Sequence, residues 1–348
     1  MAEADNSIKQ PAAVGTTERW SLKDLKLLLR FEYLPFAICL PLLEAAASSR
    51  PLTIGQISGL VGIATVYHIY TALLNDIVDL PLDRTEPGRA DYPLVRGKIQ
   101  PGQALVVALA QIPLAILLTL LIGGDLRAYA VLGVAFLAIT IYNVWGKRLA
   151  FPIVTDIVQG IAFASVALYG SVIPGPLTLL GVIVFVSVVV WMVLTNLLGG
   201  LRDLHGDLNF GVRTTPIQFG ARPHGQVIPG RVAVYAYSLQ AIMIGLIGLA
   251  LLYNEFGYGP IMWAVVAAVM VALSLIALRL LQKFFTLAHD YSKMIATGQL
   301  QMAASSGSFI LLLAPYMDWK LLFTLGIVFL GAVLQYNPNP PLPNVHHP

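Results

Sequence analysis

Two acidic segments of the chain carry the side chains best suited to chemistry. In the first, Asp76, Asp79 and Asp83 are spaced by three and then four residues, so a helix would place all three carboxylates on one face. In the second, Asp203 and Asp207 again stand four residues apart. Because like charges at these spacings repel one another, each arrangement predicts a positive partner bound between the carboxylates.

A hard divalent cation is the partner that carboxylate oxygens favour. Mg²⁺ usually takes one or two carboxylates, several waters and the phosphate oxygens of a substrate. Basic residues beside the two segments would neutralise the remaining phosphate charge, and the ion would stabilise the charge that develops on a departing diphosphate. One pair of aspartates in a loop is usually a solvated surface feature. Two such clusters, each following an apolar run, favour a shared site for Mg²⁺ and a diphosphate.

The rest of the composition is that of a membrane protein. Of the 348 residues, 57% are hydrophobic and 11% are charged, against about 25% charged in a typical soluble domain. The mean hydropathy is +0.77. Apolar runs of roughly 18 to 25 residues recur, which is the length that crosses about 30 Å of hydrocarbon. The sequence therefore predicts an all-α integral membrane protein in a lipid bilayer. The net charge of +3, without a basic patch interleaved with aromatic residues, argues against a nucleic-acid partner.

The apolar runs predict about nine transmembrane helices. They lie at 31–49, 54–74, 103–122, 126–145, 153–173, 177–198, 232–253, 260–281 and 302–334. The last run is interrupted by Pro315, Asp318 and Lys320. It is either a hairpin of two short helices or one span with an irregular start, which leaves a count of nine or ten.

The segments outside the spans set the limits of the domain. Residues 1–20 are polar and are predicted to be a disordered cytoplasmic tail, and 337–348 are rich in Pro and Asn and predict a second disordered tail. The transmembrane domain then covers 21–336. Within it, Pro81 predicts a bend or a restart of the helix that leaves the second span, just before Asp83.

The basic residues indicate the orientation of the chain. Of the 21 Lys and Arg residues, Arg50, Arg127 and Lys320 lie on one side of the predicted spans and the others lie on the opposite side. This bias predicts that the N-terminus and the even-numbered loops face the cytoplasm. Two of those loops, 75–102 and 199–231, are long and hold the two acidic segments. We therefore expect both segments at one site on the cytoplasmic face.

The motifs resemble those of the UbiA superfamily of intramembrane prenyltransferases. The family's first signature, NDxxDxxxD, matches Asn75, Asp76, Asp79 and Asp83. Its second signature has two aspartates, a glycine and a Thr/Ser turn, and matches Asp203, Asp207, Gly211 and Thr214-Thr215. A third signature, a tyrosine followed by Lys-Arg after the fourth span, matches Tyr142, Lys147 and Arg148. The resemblance covers essentially the whole membrane region.

The resemblance implies a bundle of about nine helices with a central cavity capped by the two acidic loops. It also implies a Mg²⁺-dependent reaction in which an allylic prenyl diphosphate ionises and the carbocation alkylates an electron-rich acceptor, usually an aromatic ring. The implied catalytic residues and Mg²⁺ ligands are Asp76, Asp79, Asp203 and Asp207. The implied substrate-binding residues are Asn75, Asp83, Arg84, Tyr142, Lys147, Arg148 and Arg202.

Four polar residues fall within predicted spans, where such groups are costly and often functional. His68 and Tyr70 precede Asp76 by one or two helical turns, so His68 is predicted to line the cavity and bind substrate. The competing interpretation is a hydrogen bond between helices. Asp156 is a weaker candidate because it lies near the cytoplasmic end of its span, and Glu44 is predicted to be structural.

Two positions depart from the family pattern. Tyr92-Pro93-Leu94 stands where the family usually has Arg-Pro-Leu, so one phosphate-side arginine is missing. The candidates to replace it are Arg84, Arg89, Arg96 and Lys98, and the sequence does not choose among them. Gly199-Gly200 replaces polar or aromatic residues of the relatives, which leaves the acceptor open.

Two other functions fit parts of the pattern. A UbiA-type terpene cyclase would ionise the same diphosphate and fold the cation onto its own chain, and the changes at Tyr92 and Gly199-Gly200 keep this alternative open. A secondary transporter would also use membrane carboxylates and two similar halves, but its binding sites lie near the bilayer midplane. The carboxylates here lie in long loops on one face, which favours the enzyme.

Overall fold

A computed structural model describes residues 20–48, 50–85, 89–146, 149–222, 228–253, 259–287 and 291–335. All regular secondary structure in these ranges is helical, which confirms the all-α class. The helices are α1 (Leu22–Leu29), α2 (Leu34–Ala46), α3 (Ile54–Asp83), α4 (Pro101–Leu121), α5 (Leu126–Trp145), α6 (Pro152–Val172), α7 (Leu179–Arg202), α8 (Leu204–Asn209), α9 (Thr215–Gln218), α10 (Gly230–Tyr253), α11 (Pro260–Thr286), α12 (Tyr291–Leu313) and α13 (Trp319–Gln335).

Seven of the described helices are long and apolar enough to cross a membrane, namely α3 to α7, α10 and α11. The chain is therefore an integral, multi-pass membrane protein. The predicted count of nine is not reached by these criteria. At 1.5 Å per residue, the 13 residues of α2 extend about 20 Å, short of the hydrocarbon thickness, and the 17 residues of α13 are also few.

The first and last predicted spans differ most from the helices observed. A left-handed Arg30 (φ 45°) and a 3₁₀ turn at Phe31–Tyr33 delay the start of α2 to Leu34. The last run corresponds to the two-helix alternative, since a 3₁₀ turn at Ala314–Tyr316 separates α12 from α13. The first helix of that pair is longer than predicted because it begins at Tyr291.

α3 carries the first acidic segment as part of a 30-residue helix. The helix expected to leave the second span is observed: it occupies the first nine positions of the predicted loop 75–102 and continues through Pro81 to Asp83. Pro81 lies in the last turn, so its missing N–H leaves only the Ile77 carbonyl without its usual helical donor. Asp76, Asp79 and Asp83 therefore keep their helical register.

The described residues form two hydrophobic cores, and α7, α10, α11 and α12 contribute to both. The larger core combines residues of α2 to α6 with parts of α7 and of α10 to α13, and Tyr67, Tyr169 and Leu42 are among its most deeply buried side chains. The smaller core joins α7 to the 204–221 region and to α10, α11 and α12. Since α7 ends at Arg202, it leads directly into the second acidic segment beside the smaller core.

One glycine permits the close approach of α2 to α6. A Cβ atom added to Gly170 would lie 1.8 Å from the carbonyl oxygen of Pro41. Small residues at such contacts let membrane helices pack backbone to backbone. α2 also contacts α3, so this packing sets where the start of α2 and the end of α1 lie relative to the acidic segment of α3.

α1 is tied to the loop that follows α3. Its Asp24 is 3% exposed and accepts hydrogen bonds from Lys98 Nζ at 2.7 Å and from Arg96. Ser21 completes a capping box with the same carboxylate. A second, exposed pair joins Lys23 Nζ to Asp91 at 2.7 Å. These contacts fix the 91–98 segment beside the end of α3 that carries the carboxylates.

We expect Gly170→Ala to destabilise the protein by about 1–3 kcal/mol, because the new methyl group forces α2 and α6 apart. Thermal unfolding in detergent micelles measures this. Gly133→Ala is the matched control, since a Cβ there meets nothing within 4 Å and alanine is the better helix former. Equal unfolding temperatures for the two variants would contradict the close α2–α6 contact.

Asp24→Asn should lower the unfolding temperature in a pH-dependent way. Hydrogen bonds from Lys98 and Ser21 hold the pKa of Asp24 well below its usual range. A depressed folded-state pKa contributes stability that is present above the unfolded pKa, near 3.9, and is lost as the pH falls toward the folded value. The gap between wild type and variant should be constant from about pH 8 to pH 5 and should narrow below about pH 4.

The control for the Asp24 experiment is Asp91→Asn. It removes a carboxylate from the same network, but the Lys23–Asp91 pair is about two-thirds exposed on both sides. We expect an unfolding temperature close to wild type at every pH. A gap for Asp24→Asn that does not change with pH would show that the charged form of Asp24 contributes no stability.

Candidate active site

The end of α3 presents a row of polar side chains, each with a different partner. Asn75 Nδ2 donates to Asp79 Oδ2 at 3.0 Å. Asp83 Oδ1 lies 3.8 Å from the Nε atom of Arg89. Asp76 and Asp83 are buried and Asp79 is partly buried. The helical spacing therefore places the carboxylates together, as the sequence predicts.

Arg30 is the site residue that the sequence analysis missed. Its Nη2 atom donates to Asn75 Oδ1 at 2.9 Å and also to Asp76 Oδ1. No pattern in the sequence indicates this pairing, because Arg30 lies 45 residues before Asn75 and is one of many basic residues on the predicted cytoplasmic side. The fold brings the end of α1 to the acidic face of α3.

The His68 side chain contacts the backbone at the end of α1, next to Arg30. Its Nε2 atom is 2.9 Å from the carbonyl oxygen of Leu29 and 3.1 Å from that of Arg30. His68 is 9% exposed and is not among the residues that line the cavity described below. Of the two interpretations from the sequence, these contacts match hydrogen bonding to a neighbouring helix end, and they hold the backbone from which the Arg30 side chain extends.

The second acidic segment is more open than the first. Arg202 donates to its neighbour Asp203 through Nε at 2.7 Å and Nη2 at 2.6 Å, and both side chains are close to half exposed. Asp203 separates α7 from α8, and the backbone N–H of Asp207 donates to the Asp203 carbonyl oxygen at 3.0 Å. Arg202 thus lies at the site but is paired with a carboxylate of the same segment.

A cavity of about 590 Å³ lies between the two segments. One wall comes from the last turns of α3, another from the 149–150 turn, and a third from the turn that follows α8. The lining residues are Val78, Asp79, Pro81, Leu82, Leu149, Ala150, Phe210, Gly211, Val212 and Arg213. Gly211 adopts a left-handed conformation (φ 64°), which glycine accommodates without steric cost, and this turns the chain along the cavity.

The two acidic segments converge, because Asp79 of the first and the turn that follows Asp207 of the second line the same cavity. Tyr142 lies near both, with Asp79, Asp207 and Asp156 of α6 in its surroundings. Asp156 is buried and accepts a hydrogen bond from Thr215 Oγ1 at 2.5 Å. The predicted meeting of the two segments is therefore observed, with a buried carboxylate beside it.

The basic residues proposed from the sequence divide into three groups. Arg96 and Lys98 bind Asp24 of α1 and are not among the residues that line the cavity. Arg84 caps α3 and is exposed, whereas Arg89 lies beside Asp83 and stacks over the ring of Tyr92 at 4.5 Å. The candidates Lys147 and Arg148 lie outside the described residues.

The donor set suits magnesium. In the described ranges, no three His, Cys, Asp or Glu side chains gather closely enough to hold one ion by themselves. Mg²⁺ does not require such a cluster, because one or two carboxylates and substrate phosphates complete its shell. The partly buried Asp79, which faces the cavity next to the Asn75 amide, supplies the hard oxygen donors that this ion prefers.

Comparison with known proteins is consistent with this site. Residues 34–285 match the UbiA prenyltransferase family. The chain is 30% identical over 177 residues to the digeranylgeranylglyceryl phosphate synthase of Natronomonas pharaonis, a match that covers 50% of this chain and 61% of that protein. It is 30% identical over 185 residues to the chloroplastic 2-acylphloroglucinol 4-prenyltransferase of Humulus lupulus, covering 50% and 44%. The chain thus spans about half the length of the curated relatives it matches.

Solved structures share the fold. A structure of a digeranylgeranylglyceryl phosphate synthase superposes with a TM-score of 0.64 and 19% identity, covering 85% of this chain and 98% of that one. A UbiA homologue from Archaeoglobus fulgidus, bound to GPP and Mg²⁺, superposes with a TM-score of 0.61 and 16% identity, covering 82% and 99%. Since the family match covers well over half of the sequence and the helical architecture agrees, this chain belongs to the UbiA prenyltransferase family.

Proposed function

We propose that the protein is a Mg²⁺-dependent prenyltransferase that moves a prenyl group from a prenyl diphosphate to an electron-rich acceptor. The observation that carries this proposal is the cavity between the two acidic segments, with Asp79 on one wall and the turn after Asp207 on another. In this proposal Asp76 and Asp79 on one side and Asp203 and Asp207 on the other hold Mg²⁺ ions that the diphosphate bridges, so that no ion needs more than two carboxylates. The N-terminus and both segments face the cytoplasm, as the distribution of basic residues predicts.

Once bound, Mg²⁺ would make diphosphate a better leaving group by stabilising its developing negative charge. The protein's own cations would hold the phosphate oxygens, and Arg213 joins the candidates because it lines the cavity. Asn75, Asp83, Arg84, Tyr142, Arg202 and His68, with Lys147 and Arg148, remain proposed substrate-binding residues. For His68 the contacts support an indirect role, through the backbone of Arg30.

The apolar walls of the cavity serve the second half of the reaction. Val78, Leu82, Leu149 and Phe210 line it beside the carboxylate. These side chains would contact the hydrocarbon chain of the donor and so help to orient the allylic carbon toward the acceptor. The acceptor would lose a proton as the new bond forms, and diphosphate would leave.

The comparisons support the donor more closely than the acceptor. GPP and Mg²⁺ are bound together by the Archaeoglobus fulgidus homologue. The two curated relatives are named for a glyceryl phosphate and for an acylphloroglucinol, an aliphatic and an aromatic acceptor class. We keep the aromatic acceptor as our prediction, and the test below includes both classes. A cyclase reaction, which uses no acceptor, is an outcome of the same test.

We expect purified protein in nanodiscs to release diphosphate from dimethylallyl, geranyl, farnesyl or geranylgeranyl diphosphate in the presence of Mg²⁺ but not of EDTA. Each donor is offered with and without phenolic acceptors and a prenylated glyceryl phosphate. Asp79→Asn and Asp203→Asn should each reduce release by at least about 100-fold, because each removes a metal ligand worth several kcal/mol in the transition state.

Asp91→Asn is the control, since this exposed carboxylate lies in the same loop but pairs with Lys23. Release that requires an acceptor supports the transferase and identifies its acceptor class. Release without an acceptor, accompanied by a cyclic product, would replace it with the cyclase. Release that survives in both Asp79→Asn and Asp203→Asn would show that the metal site is assigned wrongly.

A further inference from the structure

Arg30 binds the residues that the metal is proposed to bind. Its guanidinium donates to Asn75 and Asp76, two neighbouring residues of the first signature. The pair is largely shielded from water, with 19% of the Arg30 side chain and 4% of the Asp76 side chain exposed. Because solvent screens so little of this interaction, Arg30 and Asp76 form a buried ion pair whose attraction partly offsets the cost of burying the carboxylate.

The backbone of Arg30 is held while the side chain retains an unused donor. Arg30 is in the left-handed region (φ 45°), its N–H caps α1, and its carbonyl oxygen contacts His68. The Nε–H group is buried and has no hydrogen-bond partner among the described residues. A buried unsatisfied donor is costly, so this group points to a further acceptor that the guanidinium can reach.

We propose that Arg30 competes with the divalent cation for Asp76 and turns to the diphosphate when metal and substrate bind together. This rests on the proposed function, in which Asp76 is a metal ligand. A guanidinium and a metal ion that bind one carboxylate repel one another, because both positive charges lie close together in surroundings that solvent screens little. Arg30 therefore weakens the binding of metal alone.

The diphosphate reverses the effect of Arg30. Phosphate oxygens match the planar fork of a guanidinium, and turning toward them gives the Nε–H group an acceptor and frees Asp76 for the metal. Arg30 thus acts as a positioning residue that couples the two ligands, so that each is bound more tightly in the presence of the other. A residue with a merely structural role would not produce opposite effects on the two affinities.

The test measures binding without turnover. Mn²⁺, followed by electron paramagnetic resonance, reports the affinity for metal alone, and inorganic pyrophosphate is then added as the anion. We expect Arg30→Gln to bind Mn²⁺ alone about 5- to 10-fold more tightly than wild type and to bind pyrophosphate with Mn²⁺ at least about 5-fold more weakly. Unchanged or weaker binding of Mn²⁺ alone by Arg30→Gln would overturn the proposal.

Three further variants sharpen the result. Lys23→Gln removes a positive charge from the same helix but touches no signature residue, and both affinities should match wild type. Asp76→Asn separates this proposal from the proposed function. If this variant binds Mn²⁺ as tightly as wild type, the assignment of Asp76 as a metal ligand fails. If it binds Mn²⁺ more weakly, that assignment stands, whatever Arg30→Gln shows. If Arg30→Gln does not fold, Arg30→Lys replaces it, and coupling between Mn²⁺ and pyrophosphate that equals wild type would overturn the proposal.

Discussion

The mutual repulsion of three carboxylates on the last turns of α3 is the constraint to which the surrounding structure responds. Their helical register keeps Asp76, Asp79 and Asp83 on one side of the helix, at the point where it leaves the apolar part of the bundle. A different group offsets the negative charge of each carboxylate. Arg30 at the end of α1 donates to Asp76, the Asn75 amide donates to Asp79, and Arg89 in the loop lies beside Asp83. The position of α1 and of that loop follows from this need.

α1 shows how a short element can organise a membrane site. At its start, Asp24 binds Arg96 and Lys98 and so holds the loop after α3. At its end, Arg30 donates to the Asp76 carboxylate of α3. Eight residues therefore connect both sides of the acidic segment, and the buried charges at each end are satisfied only when helix and loop are in place together.

The two acidic segments differ in how firmly the fold holds them. The first belongs to a 30-residue helix packed in the larger core. The second lies between α7, the six-residue α8 and the four-residue α9, and its Arg202–Asp203 pair is half exposed. Thr215, which binds the buried Asp156, anchors the far end of that segment to α6. The cavity thus has one wall built on a long helix and an opposite wall built on turns.

Local patterns in the sequence determined the helical membrane class, most spans and the shared face of Asp76, Asp79 and Asp83, because hydropathy and helical register depend on residues close in the chain. The same reasoning counted the 13-residue α2 as a full span and left the last apolar run as one span or two short helices, since boundaries depend on packing as well as on apolar length. Only the tertiary structure decided that Arg30 binds Asp76 and that Lys98 binds Asp24. The Arg30–Asp76 and Lys98–Asp24 pairs join residues 46 and 74 positions apart, and no periodicity records which of many cations will meet which carboxylate.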